Sequence, residues 1–179
     1  MEGRTGFTSI GNDKLKQRRL RLPVKCHRNL TVGQCVPFYF CPRSVMLYIN
    51  SRGNHPEVTY AGGQEFIVHL QVDMSNAVIW LNQNHLRWSF SSGNAATEYT
   101  SFYADSIDLD KLDWGAISTN NWRECIHTKQ AEFLIEQRCP THLIECIGVL
   151  SRTTQKQVEQ ILHQSETTIP VMLRPDWYY

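Results

Sequence analysis

The sequence predicts an α+β domain in which strands outnumber helices. Three observations carry this. Residues Glu65–Met74 alternate, with Phe66, Val68, Leu70 and Val72 on one face and His69, Gln71 and Asp73 on the other, the period of a strand half-facing a core. Glu132–Ile135 and Leu143–Leu150 look like further strands, and Ile169–Arg174 reads as a closing one. Helical patterns are few: Asn76–Leu86 with Ser75 as its N-cap, and Thr154–His163, where Thr154 and Gln157 form a capping-box pattern.

Taken in order, the chain gives each element a reason. Val36–Asn50 is apolar and aromatic, interrupted by Pro42-Arg43-Ser44, and reads as a strand or turn leading into a short buried helix. Gly53-Asn54-His55-Pro56 and Gly62-Gly63 mark loops. Ser89–Arg123 is rich in Ser, Asn, Asp and aromatics, with weak periodicity. A long irregular segment inside a compact domain is usually functional, so this stretch is expected to be a working loop. A length of 179 residues suits one domain with one sizeable core. No apolar run approaches the ~20 residues that span a bilayer. The first residues hold no apolar signal core, which makes the cytoplasm the default compartment.

The six cysteines are Cys26, Cys35, Cys41, Cys125, Cys139 and Cys146. Without a CxxC pair or zinc-ligand spacing, metal binding fits poorly, and reduced, mostly buried thiols are expected. The net charge of +1 conceals an asymmetry. Lys14, Lys16, Arg18, Arg19, Arg21, Lys25 and Arg28 follow one another with no acid among them. Such a block attracts polyanions through counterion release. The alternative is a solvated surface arm.

Three groups of residues could carry chemistry. Gln130-Ala131-Glu132 lies where the irregular segment meets a strand, and alternation would put Gln130 and Glu132 on one face. A fixed carboxylate there would stabilise oxocarbenium character on a sugar, although a surface glutamate is the plainer reading. In Ser9-Ile10-Gly11-Asn12, Gly11 permits a close backbone approach to a ligand, and an arginine a turn or two later can grip a diphosphate. Neither GxGxxG nor GxxxxGKS/T is present. Among the aromatics Phe38, Tyr39, Phe40, Tyr99, Phe102, Tyr103, Trp114 and Trp122, usual burial habits assign Phe38, Phe40 and Trp114 to the core. Tyr99 and Tyr103 are the better candidates for stacking on a base.

The stretches TSIGNDKLKQRR, PVKCHRNLTVGQCVPFYFCPRSVMLY, GNHPEVTYAGGQEFIVHL, QAEFLIEQRCP and RPDWYY resemble the DarT family of DNA ADP-ribosyltransferase toxins across nearly the whole chain. The resemblance implies an ADP-ribosyltransferase-like split mixed β-core with flanking helices, formed by residues 1–179 as a single domain. It implies transfer of ADP-ribose from NAD+, the co-substrate, to a base of single-stranded DNA, typically thymine and in a sister group guanine. It also implies a DarG-type macrodomain antitoxin as a partner, and no membrane. It makes Glu132 the catalytic glutamate and Arg19 the key arginine, with Arg18 the alternative register. Gly11, Arg18, Arg19 and Asn94 are then the NAD+ contacts. Lys14, Lys16, Tyr99, Tyr103 and Gln130 are the DNA contacts, with the substrate-reading loop near Asn94–Gln130 and Arg43 a weaker candidate. An arginine's pKa exceeds about 12, so Arg19 is expected to act as an electrostatic partner rather than a base. The family's earlier H-x-T-type segment is not found in this sequence, which implies a weaker hold on NAD+. Two other readings stay open: a single-stranded DNA-binding module with little turnover, and transfer to guanine or protein.

Overall fold

The computed structural model describes residues 12–53, 55–58 and 60–179. Among them, seven strands form two sheets and five α-helices flank these. Helix α1 (Asp13–Arg19) is followed by strand β1 (Cys35–Tyr39) and helix α2 (Val45–Arg52). Next come β2 (His69–Val72), α3 (Met74–Gln83), β3 (Trp88–Asn94), β4 (Phe102–Tyr103) and α4 (Trp114–Ser118). Last are β5 (Ala131–Glu136), β6 (Ile144–Val149), α5 (Arg152–Gln164) and β7 (Val171–Leu173). The first sheet has the order β1-β5-β3-β4 and is antiparallel; the second has the order β2-β6-β7, antiparallel then parallel. This is the expected α+β class, with strands in excess.

Strand β5 lies between β1 and β3 and is buried at every position. Its alternation divides two cores. Ala131, Phe133 and Ile135 join Phe90 and Trp88 beneath Ala77 and Leu81 of α3. Leu134 faces the other way, against Val24, Leu30, Val32 and Ala95. Glu132 and Glu136 share the Leu134 face, and each meets an arginine. Arg87 forks onto Glu136 at 2.6 and 2.9 Å and donates its backbone N–H to the same carboxylate. Its remaining guanidinium nitrogen reaches the Arg28 carbonyl, fastening the N-terminal segment to the sheet.

Several expected boundaries move for identifiable reasons. Asp73, not Ser75, caps α3, because its carboxylate accepts from Asn76 N at 2.8 Å and starts the helix two residues early. Ser151 caps α5; the Thr154 hydroxyl instead turns inward and donates to Glu65. The Glu65–Met74 alternation is only partly realised. Phe66 and Leu70 are exposed, while Ile67 and His69 face inward, where the His69 ring packs against Trp177 and Tyr178. A bulge between Gln71 and Val72 then returns Val72 to the core. Ser89–Arg123 is not irregular throughout, since it holds most of the central strand β3. There Ser89 and Ser91 are fully buried, a composition that reads as loop until tertiary partners are known. Phe38 and Phe40 pack on the core as expected, but Trp114 is 45% exposed, its ring set edge-on to Phe40. Only Cys146 of the six cysteines is buried; Cys26 is exposed and the others are half-buried. Burial, then the Glu136 charge, push the Cys35 thiol up to about 11, so it stays protonated.

The C-terminal residues close the second sheet. Trp177 lies on Gly148, where an added Cβ would fall 2.4 Å from the indole, and the buried Tyr178 hydroxyl donates to the Ile67 carbonyl at 2.6 Å. Gly148→Ala should therefore cost about 1–3 kcal/mol in chemical denaturation, because strand and indole must separate. Glu136 sets an acid limit. Its hydrogen bonds to Arg87 hold its carboxyl below the usual range. That contribution is complete above the unfolded-state value near about 4.3 and fades as pH falls through the lower folded value. Glu136→Gln should lose about 1 kcal/mol at neutral pH, a figure reduced for the half-exposed Arg87, and its deficit should shrink in acid denaturation curves.

Candidate active site

Helix α1 begins at Asn12, whose side chain accepts from Leu15 N at 3.0 Å, and its last residue is Arg19. From there Arg19 reaches strand β5. Its two terminal nitrogens donate to the two Glu132 oxygens at 3.0 and 2.6 Å, a bidentate fork. The carboxylate side chain is 2% exposed and the guanidinium 15%. The Ala95 backbone N–H adds a donor to the same carboxylate at 3.3 Å. Below it, Glu132 N donates to the Ser91 hydroxyl at 3.0 Å, and that hydroxyl donates to the Gly93 carbonyl at 2.7 Å. Burial pulls the Arg19 pKa down, but the hydrogen bonds and charge of Glu132 outweigh it and leave it above the ordinary value. Tyr39 stands opposite Glu132 in the β1–β5 register. Although 38% of that residue is open, its phenol end is desolvated beside Glu132 and is held well above its usual pKa.

The loop after β3 is tied to this pair. The Asn94 carbonyl accepts from the Thr97 and Thr100 hydroxyls at 3.0 and 2.7 Å, and the Asn94 side chain joins Ala96 N and Gln130. Lys25 donates to the carbonyls of Glu98 and Thr100. His127 presses on Gly93, where a Cβ would lie 2.3 Å from Nε2, so only glycine fits. Lys129 is 1% exposed and donates to the Ile117 and Thr119 carbonyls at 2.6 and 2.8 Å, tying the end of α4 to the turn that precedes β5.

The residues expected at the site divide into two groups. Glu132 and Arg19 are in contact; Asn94 ends β3 and donates to Gln130, and Tyr99 lies on the loop after β3. Gln130 belongs to the 3-10 turn Thr128–Gln130 rather than to β5, so strand alternation does not pair it with Glu132. Arg18 turns away from Arg19, toward Glu98 at 3.8 Å. Lys14 pairs with Glu57, and Lys16 with Asp13. Tyr103 packs on Phe90, across the sheet from Glu132. Arg43 sits 6.0 Å from the Tyr179 ring. Gly11 and the loop residue Asn54 lie outside the described residues. Sequence reasoning missed Ser91, Ala95, Lys25, His127 and Lys129, whose roles come from backbone contacts that leave no motif. Among the described residues no three His, Cys, Asp or Glu side chains gather as a metal site, and no helix is long and apolar enough to cross a membrane.

Comparison with known proteins identifies the family. The chain is 41% identical over 147 residues to a Thermus aquaticus DNA ADP-ribosyl transferase; the match covers 80% of this chain and 63% of that protein. The structure of Thermus sp. 2.9 DarT in complex with ADP-ribosylated ssDNA matches with a TM-score of 0.84 and 34% identity, over 96% of this chain and 81% of that one. The same protein in complex with NAD+ matches with a TM-score of 0.75 and 36% identity, over 83% and 74%. The family model described as "ssDNA thymidine ADP-ribosyltransferase, DarT" matches residues 1–179, and the chain belongs to that family.

Proposed function

We propose that this chain transfers ADP-ribose from NAD+ to thymidine in single-stranded DNA, with Glu132 and Arg19 as its catalytic pair. The observation that carries this is the buried Glu132 carboxylate, forked by Arg19 and met by the Ala95 N–H. The residues fit the dinucleotide. Arg19 at the end of α1 suits its diphosphate, and the carboxylate beside it suits a ribose hydroxyl. Asn94 serves by holding the loop that carries Ala95. Bound NAD+ would supply an anomeric carbon that exchanges its bond to nicotinamide, which leaves as the neutral amide, for a bond to the incoming nucleophile.

The chain's own residues supply the electrostatics. The Glu132 carboxylate is held in place by the Arg19 fork and the Ala95 N–H, so its charge stabilises positive charge developing on the sugar without reorganisation. A thymine that gives up its weakly acidic N3 proton to solvent water leaves an anion, and Arg19 is the cation in contact with Glu132. Arg19 stays charged throughout, because its pKa lies above an already high value. An extended, unpaired strand is required because the reacting nitrogen is hidden in a duplex. Gln130 and Tyr99 face the strand in this reading, and Lys14 and Lys16 contribute long-range attraction. By family, a DarG-type macrodomain antitoxin is the partner and the cytoplasm the compartment.

Incubation with NAD+ and a single-stranded oligonucleotide containing one thymidine should add one ADP-ribose by mass spectrometry. DNA binding and NAD+ binding without any mass gain would overturn the assignment in favour of a binding module, and a gain on guanosine would correct the acceptor. Glu132→Gln keeps the shape and one acceptor for Arg19, and should lower the rate at least about a hundredfold while NAD+ affinity changes less. Glu132→Ala is a poorer test, since a buried guanidinium without its partner costs about 3 kcal/mol of stability. Arg19→Lys keeps the charge but loses the fork, and should lower kcat roughly tenfold or more in the same assay.

A further inference from the structure

We infer that the exposed face of Tyr99 is a stacking platform for the base beside the acceptor thymidine, and that the hollow lined by Arg18 and Arg21 takes a phosphate of the same strand. This rests on the single-stranded DNA reading above. Tyr99 is 75% exposed, yet it is not a loose surface side chain. Its ring leans on the His127 imidazole, with centroids 4.7 Å apart and the planes tilted by 44°. That imidazole is itself wedged on Gly93, and the His127 carbonyl accepts from Asn94 N and Gln130 N, both at 3.1 Å. Lys25 braces the backbone on either side of Tyr99, at Glu98 and Thr100. The ring is thus braced by its neighbours and largely bare, as a base platform must be.

Its position and charge point to the neighbouring nucleotide. Ala95, which touches the Glu132 carboxylate, precedes Tyr99 by four residues, so at most about 14 Å of chain separates them. Beside Tyr99, Glu98 joins Gln17, Arg18, Arg21 and Leu22 around a hollow of about 460 Å³. Arg21 is exposed and forms no ion pair among the described residues. Arg18 is only loosely held, at 3.8 Å from an 82% exposed Glu98 side chain, a surface pair a phosphate readily displaces. Phosphate chemistry is common to DNA and to the NAD+ diphosphate, and a π-face suits adenine as well as a DNA base, so the test must separate the two.

The test uses single-thymidine oligonucleotides in which each nucleotide is replaced in turn by an abasic residue. With the unaltered protein, an abasic residue at one flanking position should raise the KM for DNA roughly tenfold to a hundredfold. Tyr99→Ala should show the same rise on the intact strand and lose that positional penalty. Tyr99→Trp should restore both, and the KM for NAD+ should stay put. Arg21→Ala should reduce the slope of log KM against log salt by about 0.7, one phosphate's worth on a single strand. The inference is overturned if no abasic position matters to the unaltered protein, if Tyr99→Ala keeps the full penalty, or if either variant loses NAD+ affinity instead. An unaltered protein that modifies no oligonucleotide at all sinks the DNA reading itself, and the platform with it.

Discussion

Arg19 and Glu132 stand 113 residues apart in sequence and form the contact on which the site depends. The fork joins the end of α1 to the start of the most buried strand, and so fixes where the N-terminal segment lies on the sheet. It does so at the pair proposed for catalysis. A carboxylate that is 2% exposed would be too costly to keep charged without a partner, and the guanidinium makes that burial tolerable. The result is a fixed pair of opposite charges in low-dielectric surroundings, where each acts more strongly on a bound substrate than it could in water.

A second set of cations works on the backbone. Among the described residues Lys129 and Lys25 meet no carboxylate; they donate to carbonyls at the end of α4 and in the loop after β3. The loose composition of these segments gives them little rigidity of their own. The two ammonium groups hold them through charge-assisted hydrogen bonds instead. The basic block near the N-terminus is therefore not one polyanion-binding arm. Arg19 is consumed inside the fold, Lys25 is tied to loop carbonyls at the surface, Lys14 and Lys16 meet acids, and Arg18 and Arg21 remain at the surface around one hollow.

The two sheets leave an apolar groove of about 680 Å³ between β1 and β2, lined by residues such as Phe38, Phe40, His69 and Trp177. The Glu132 fork lies on the Leu134 face of β5, whereas Phe133 faces the groove. One strand thus serves the main core on one side and the polar site on the other, which is why β5 has no exposed position.

The sequence by itself determined the class, the strand-rich order, the QAE glutamate and the arginine pair after the Ser-Ile-Gly motif. These depend on local periodicity, on residue chemistry and on stretches long enough to carry a family resemblance. Tertiary structure decided what depends on partners far away in the chain. It chose Arg19 over Arg18 to meet Glu132, since one residue along a helix turns a side chain by about 100° and only one of the two can face the sheet. It turned Ser89 and Ser91 from apparent loop into buried central strand, where the Ser91 hydroxyl accepts from the Glu132 N–H and donates to the Gly93 carbonyl. It sent Leu70 and Phe66 outward, because His69 packs edge-on against Trp177 and Tyr178 from the other end of the chain. Local pattern records which residues prefer burial; which of them meet is fixed only when the sheets close.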